Sequence, residues 1–157
     1  MGWTRIPKAA AALIAGTVLV LGACSASQGS SSSADGGATQ VDVTLQEWAV
    51  VIGQDSAPAG DVTFSITNDG PDDIHEFVIF KTDLAPGDLP VDDQGVVDET
   101  GGGLEVVDEV EDVEVGATAE LPVTLESGSY VLVCNVYDED EGEAHYSMGM
   151  RAEFTVP

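Results

Sequence analysis

Side chains that could bind a transition metal are few in this chain, and their order is informative. The 157 residues include two histidines, two cysteines and three methionines. In chain order, His75 is followed by Cys134, His145, Met148 and Met150. One thiolate, two imidazoles and one thioether are the donors of a trigonal copper site with a weak axial sulfur ligand. Together these residues predict a type 1 copper site, although each of them alone would be uninformative.

A copper site of this kind needs a rigid frame. Thiolate and thioether sulfur favour Cu(I), whereas imidazole serves both oxidation states, so a geometry that both states tolerate lets one electron move with little rearrangement. The ligands are therefore expected on strands and in one tight loop. Cys134 directly follows an apolar run at 130–133, and His75 lies near the start of another at 74–80. Both positions agree with this requirement.

The chain around these residues is patterned as β-strands. Apolar and polar residues alternate over 41–45, 62–66 and 119–125, as in strands with one buried face. The runs at 74–80 and 130–133 are more continuously apolar, which is typical of central strands that are covered on both faces. No stretch shows a sustained helical period. These patterns predict an all-β fold, an antiparallel β-sandwich with little helix.

Two further segments complete the strand pattern. The last strand is predicted over 151–156. Residues 83–112 form a long acidic excursion, in which one strand is predicted near 104–107. The glycine triplet at 101–103 is not a phosphate-binding loop, because no Lys-Ser/Thr pair follows it.

The first residues are typical of an exported lipoprotein. Arg5 and Lys8 precede an uncharged stretch over 9–23, which is short for a membrane-spanning helix and suitable for a signal sequence. The stretch ends in Leu-Gly-Ala-Cys at 21–24, which resembles a lipobox. Cys24 is therefore the predicted lipidation site. The alternative is an ordinary cleaved signal sequence with an incidental cysteine.

The predicted lipidation at Cys24 divides the chain into three parts. We predict a lipoprotein signal peptide over 1–23, then the lipidated Cys24 with a Ser/Gly-rich tether over 24–40, and a copper-binding domain over 41–157. The tether is low in large apolar side chains and cannot bury enough surface to order itself. The lipid would hold the domain at the outer side of a cell membrane.

Charge and cysteine content exclude several classes of protein. The formal net charge is −25, with 29 acidic and four basic residues, so phosphate backbones would repel the chain and nucleic-acid binding is not expected. Two cysteines cannot make a disulfide scaffold or a four-thiolate zinc site. Once Cys24 carries lipid, Cys134 is the one thiol left for a metal.

These features resemble the cupredoxin family of type 1 blue copper proteins, such as plastocyanin and azurin, and its lipoprotein members halocyanin and sulfocyanin. The resembling segments lie at 47–48, 64–70, 75–79, 128–135, 145–150 and 154–156. The resemblance implies a Greek-key β-sandwich that holds one copper ion. The ligands that it implies are, in chain order, His75, Cys134, His145 and Met150. Met148 is the alternative axial ligand.

One departure from the family pattern concerns the ligand loop. Relatives place two to four residues between the cysteine and the second histidine, whereas here ten residues, 135–144, separate Cys134 from His145. The insertion includes an acidic run at 138–143. We expect it either to loosen the copper site or to protrude beside it as a solvated bulge.

The function that these features predict is electron transport rather than catalysis. We expect a monomeric, lipid-anchored carrier that passes single electrons between membrane redox partners, with the imidazole edge of His145 as the electron port. The acidic run at 138–143 would attract a redox protein with a basic docking surface. Two alternatives remain open, a copper storage or delivery protein with a labile site and a copper-free domain that binds another protein.

Overall fold

The computed structural model describes residues 37–157. The predicted signal peptide, Cys24 and most of the predicted tether lie outside the described residues. The described elements are, in chain order, β1 (Thr39–Gln46), β2 (Ala49–Ile52), β3 (Gly60–Asn68), β4 (His75–Lys81), β5 (Glu105–Val113), β6 (Thr118–Leu125), β7 (Gly128–Val133), β8 (Tyr137–Asp138), β9 (Glu143–Ala144), α1 (His145–Met148) and β10 (Arg151–Val156). None of the helical structure within 37–157 is long and apolar enough to cross a bilayer.

Two four-stranded sheets make up the sandwich. One sheet has the strand order β2-β1-β3-β6, the other has the order β10-β7-β4-β5, and β8 pairs with β9 as a separate hairpin. The predicted all-β sandwich is confirmed. One pairing differs from the antiparallel expectation, since β1 and β3 run parallel. Alternation of apolar and polar residues looks the same for either strand direction, so the sequence pattern could not reveal this pairing.

The core lies between the sheets and extends to the candidate ligands. Alternate residues of β1 and β3 are buried, namely Val41, Val43, Leu45, Val62, Phe64 and Ile66. The Phe64 ring centroid lies 5.5 Å from those of Phe77 and Phe154 in the opposite sheet. Cys134 and Met150 belong to the same buried cluster. Part of the candidate site is therefore continuous with a close-packed interior.

The acidic segment at 83–112 supplies an edge strand and covers the outer face of the second sheet. β5 is longer than the strand predicted near 104–107 and pairs antiparallel with β4. Upstream of β5, Leu89 and Val97 are buried in a second apolar cluster with Tyr146 and residues of β4 and β7. This cover explains why β4 and β7 are continuously apolar, because both of their faces are buried.

Candidate metal centre

The four predicted ligands come from chain segments that meet at one end of the sandwich. His75 is the first residue of β4, and Cys134 directly follows its antiparallel neighbour β7. His145 begins α1, and Met150 lies between α1 and β10. Each of the four residues is at most 1% exposed to solvent. The site is therefore built at the ends of strands and in the connection that follows β7.

Three donor atoms converge at this end. The Nδ1 atoms of His75 and His145 are 3.1 Å apart. The Sγ atom of Cys134 lies 3.6 Å from Nδ1 of His75 and 3.4 Å from Nδ1 of His145. A small ion bound about 2.0 Å from nitrogen and about 2.3 Å from sulfur would separate such donors by about 3–4 Å. The residues present therefore fit one transition-metal ion with two imidazole ligands and one thiolate ligand.

The two methionines have different environments. Met150 is fully buried in the core cluster that contains Cys134, whereas Met148 is 43% exposed on α1. The backbone N–H of Cys134 donates to the carbonyl of Met150 at 3.0 Å, which fixes these two residues side by side. Burial and proximity therefore favour Met150 over Met148 as an axial sulfur donor.

Backbone hydrogen bonds hold the connection that carries His145 and the thiol. The N–H of Glu76 donates to Sγ of Cys134 at 3.3 Å. The N–H of Met150 donates to the carbonyl of His145 at 3.1 Å, and the N–H of His145 donates to the carbonyl of Val136 at 2.9 Å. The donor atoms are thus positioned by main-chain contacts as well as by packing.

The ten-residue loop between Cys134 and His145 contains the β8–β9 hairpin. At its turn, Oδ1 of Asp138 accepts the N–H groups of Asp140 at 2.7 Å and Glu141 at 3.0 Å. Gly142 closes the turn with a φ of 74°, a conformation that glycine adopts without strain. The insertion therefore protrudes as an ordered hairpin, and the bond between Val136 and His145 joins the segments at its base.

Burial keeps the three donors neutral in the metal-free protein. It lowers the pKa of His75 to about 4, and the neighbouring His145 adds to this effect. It also lowers the pKa of His145, against the opposing effect of nearby carboxylates. Burial raises the pKa of the Cys134 thiol to about 12. At neutral pH both imidazoles can therefore bind a metal directly, whereas the thiol must first lose its proton.

We expect Zn²⁺ binding at neutral pH to release one proton from Cys134. Zn²⁺ is a suitable probe because it has no redox chemistry and accepts imidazole and thiolate ligands. Since the imidazoles are already neutral, the apparent affinity should rise about tenfold for each pH unit between about pH 7 and 9. Calorimetry in buffers of different ionisation enthalpy measures the number of protons released.

The control for proton release is Cys134→Ser, which retains Cys24 and both histidines. This variant should bind Zn²⁺ more weakly and release no proton. If the unchanged protein bound zinc without releasing a proton, the Cys134 thiol could not be protonated in the metal-free protein. Release of the same number of protons by both proteins would contradict the prediction as well.

An aromatic side chain that the sequence did not single out as functional covers part of the site. The Trp48 ring lies edge-on to the His145 ring, with centroids 5.0 Å apart. His145 is only 1% exposed. Packing thus leaves little of the ring in contact with solvent, and the role of its edge as the electron port stays a prediction.

Two polar side chains that sequence reasoning also missed hold the loop before His75. The amide nitrogen of Asn68 donates to the carbonyls of Asp73 and Val113, both at 2.8 Å. Glu47 accepts the N–H of Asp73 at 3.0 Å. Asn68 belongs to an Asn-Asp-Gly-Pro turn signal and Glu47 to a family-like segment, but neither pattern indicates which groups these side chains contact.

No protein-family model matches this sequence, and no curated protein sequence matches it either. Several solved structures are similar in fold. Reduced auracyanin from Roseiflexus castenholzii is 21% identical, with a TM-score of 0.54 over 77% of this chain and 99% of that chain. Auracyanin A from Chloroflexus aurantiacus, a "blue" copper protein, is 18% identical, with a TM-score of 0.51 over 77% of this chain and 100% of that chain.

Rusticyanin from Thiobacillus ferrooxidans is a third similar structure. It is 18% identical, with a TM-score of 0.51 over 77% of this chain and 79% of that chain. The described domain therefore has the cupredoxin fold, as the resemblance in sequence implied.

Proposed function

We propose that this protein is a lipid-anchored, extracytoplasmic type 1 copper protein that carries single electrons between redox partners at a membrane. The observation that carries the proposal is the convergence of His75 Nδ1, His145 Nδ1 and Cys134 Sγ within 3.1–3.6 Å of one another. These residues would hold one copper ion, with Met150 as the axial ligand. Copper, when bound, supplies the one-electron Cu(II)/Cu(I) couple.

The surroundings of the donors favour a carrier over a reaction centre. The donors are buried, their segments are hydrogen-bonded to each other, and the adjacent core is closely packed. A frame of this kind limits movement of the ligands when the charge of the metal changes. It also keeps bulk water away from the donors. His75 and His145 are the two histidines of the chain, so a second imidazole-bound metal has no ligands left.

Voltammetry of the copper-loaded protein tests the proposed function. A carrier should give a reversible one-electron wave and keep its copper through repeated cycles. Rapid loss of Cu(I) to a chelator after reduction would instead support copper delivery. Failure to bind copper at all would support a domain that only binds another protein.

The membrane anchor is supported by the sequence of the N-terminal segment. Cys24 follows Leu-Gly-Ala at the end of the uncharged stretch, and a Ser/Gly-rich segment separates it from β1. Two or more acyl chains at Cys24 would give durable attachment to a membrane surface. We expect Cys24→Ala to move the expressed protein from the membrane fraction to the soluble fraction, whereas retention in the membrane would contradict lipidation at this residue.

Acidic groups around His145 favour a basic redox partner. Asp72, Asp73 and Asp138 line a hollow of about 260 Å³ beside the His145 ring. The β8–β9 hairpin, which carries the acidic run at 138–143, adds further negative charge next to this hollow. Such a field accelerates association with cations and slows association with anions, and it weakens as salt is added.

We expect neutralisation of the hairpin turn to slow electron transfer to a cationic oxidant. The residues to change are Glu139, Asp140 and Glu141, which are exposed at the turn. Replacing them with Gln, Asn and Gln should lower the second-order rate constant with a cationic cobalt(III) phenanthroline complex on the order of tenfold at low ionic strength. The difference should shrink at high salt. Stopped-flow oxidation of the reduced protein measures the rate.

The matched control removes the same charge at the opposite end of the sandwich. Asp61, Asp83 and Glu105 are exposed. Glu105 pairs with Lys81, the last residue of β4, whereas His75 is the first residue of that strand, so the two lie at opposite ends of the sandwich. Their amide variants should slow the reaction much less. If both triple variants slowed it equally, the net charge rather than the hairpin would guide the oxidant.

A further inference from the structure

A carboxylate lies behind the His75 ring, on the side away from the converging donors. Glu47 follows the end of β1, and its side chain is 11% exposed. Its Oε1 atom accepts the N–H groups of Asp73 at 3.0 Å and Asp72 at 3.4 Å. The same oxygen lies 3.8 Å from Nε2 of His75. The carboxylate is therefore anchored by the loop that precedes β4 and placed next to a candidate ligand.

Two buried polar atoms at this contact have no hydrogen-bond partner among the described residues. One is Nε2 of His75 and the other is Oε2 of Glu47. A buried donor or acceptor without a partner costs about 1–3 kcal/mol. Nε2 is a donor in the tautomer whose Nδ1 lone pair faces the metal position. A small shift of either side chain would let Oε1, 3.8 Å away, accept a hydrogen bond from Nε2.

The chain leaves space for this carboxylate at a glycine. A Cβ atom added to Gly70 would lie 2.6 Å from Oε1 and 2.8 Å from Oε2 of Glu47, closer than real Cβ atoms approach other atoms. The N–H of Gly70 donates to Oδ1 of Asn68 at 2.9 Å, which holds the glycine in place. A side chain at residue 70 would therefore force the Glu47 carboxylate to shift from this position.

We infer that Glu47 is a positioning residue of the metal centre, whose carboxylate accepts the Nε2–H of His75 and keeps Nδ1 of that ring free to bind the metal. A metal-bound histidine commonly donates its second N–H to such a carboxylate, which orients the ring and raises its basicity. This inference rests on the proposed function for its redox consequence. The negative charge should stabilise Cu(II) relative to Cu(I) and so lower the reduction potential.

The other imidazole has a different environment. Within residues 37–157, Nε2 of His145 has no hydrogen-bond partner, and its ring is packed against Trp48. The two histidines are thus held in unequal ways, His75 beside a carboxylate and His145 beside an indole. Removal of the Glu47 charge should therefore change the hydrogen bonding and basicity of His75 more than those of His145.

The decisive variant is Glu47→Gln, which keeps an acceptor oxygen for the loop but removes the charge. We expect its Zn²⁺ affinity to fall by about 10–100-fold, the usual cost of losing such a partner. In the diamagnetic Cu(I) protein, the NMR resonance of the His75 Nε2 proton should move and exchange faster with water. In the copper protein, the reduction potential should rise. A role limited to holding the loop would move neither the proton resonance nor the potential.

The matched control is Glu120→Gln. Glu120 is exposed on β6 and accepts a hydrogen bond from the Ser65 hydroxyl at 2.6 Å, so this variant makes the same change in charge at a hydrogen-bonded carboxylate away from the site. This variant should keep the Zn²⁺ affinity within twofold and leave the His75 resonance unmoved.

Two outcomes would overturn the inference. One is a Glu47→Gln protein with unchanged zinc affinity and unchanged reduction potential. The other is weaker zinc binding explained entirely by a lower unfolding temperature, with the His75 proton resonance unmoved. Failure of the proposed function would give a different result, since the unchanged protein would then lack the blue copper spectrum. The zinc measurement would still test the role of Glu47 in that case.

Discussion

A Cys134→Ser variant exposed to Cu(II) should be colourless, whereas the unchanged protein should become intensely blue. The colour of a type 1 site arises from charge transfer between the cysteine thiolate and copper, and a serine hydroxyl cannot supply it. The variant also exchanges a soft thiolate for a neutral oxygen donor. Copper affinity should therefore fall by more than about 100-fold, beyond the usual cost of losing an outer partner of a ligand. Visible absorption and competition with a chelator measure both effects.

The control for this prediction is Met148→Leu. Met148 is 43% exposed on α1, and removal of its sulfur should leave the colour and the copper affinity of the protein unchanged. Serine is close to cysteine in size and can accept the N–H of Glu76, so the Cys134→Ser fold should persist. A blue Cys134→Ser protein would contradict the assignment of the thiolate. A colourless unchanged protein would contradict the type 1 site itself.

Replacing Asn68 with alanine should cause a large loss of stability. Asn68 is fully buried, and its side chain makes three hydrogen bonds, to the carbonyls of Asp73 and Val113 and from the N–H of Gly70. Alanine leaves these backbone groups without their partner, so the free energy of unfolding should fall by about 3–5 kcal/mol. Urea denaturation of the metal-free protein measures the change.

A second readout and a neighbouring control sharpen the Asn68 prediction. The loop that Asn68 anchors leads directly into His75, so Zn²⁺ affinity should fall together with stability. Thr67→Ala is the control, because the Thr67 hydroxyl shares an exposed hydrogen bond with the Thr118 hydroxyl at 3.0 Å. That variant should stay within about 0.5 kcal/mol of the unchanged protein. A loss below 1 kcal/mol for Asn68→Ala would show that water replaces the side chain without penalty.

The candidate ligands could be chosen from the sequence because few residue types bind copper and the chain has few of them. Two histidines and one cysteine beyond the predicted lipid anchor left little choice for the equatorial positions. The choice between Met148 and Met150 depends on how deeply each side chain is buried, and the spacing of the residues does not reveal this. The separation of 3.1 Å between the imidazole nitrogens also depends on how β4 and α1 meet, and no local pattern encodes that distance.

The fold was predictable where one face of a strand is buried and less so elsewhere. β1, β3 and β6 show the alternation that a half-buried strand requires. β5 does not, since most of its residues are exposed and acidic, and its length is set by pairing with β4. The acidic composition of the loop before His145 does not predict an ordered hairpin, because the order comes from Asp138 accepting two N–H groups.

Glu47 is the clearest example of a site residue that the sequence alone does not reveal. It is one of 29 acidic residues, and its family-like segment at 47–48 does not indicate that its side chain contacts His75. Its role becomes visible only when the packing places it between the loop before β4 and the His75 ring, with Gly70 leaving the space. Residues that orient a metal ligand are distant from it in sequence, so they follow from tertiary contacts rather than from spacing.

The position of β5 at the edge of its sheet affects how two copies of the protein can meet. An edge strand offers unpaired N–H and C=O groups to any other strand, including the same edge of a second copy. Five of the nine residues of β5 are Asp or Glu, so two such edges would bring their carboxylates into one ladder and repel each other. Electrostatic repulsion at this edge would therefore oppose pairing between two copies of the protein through β5 and favour separate molecules.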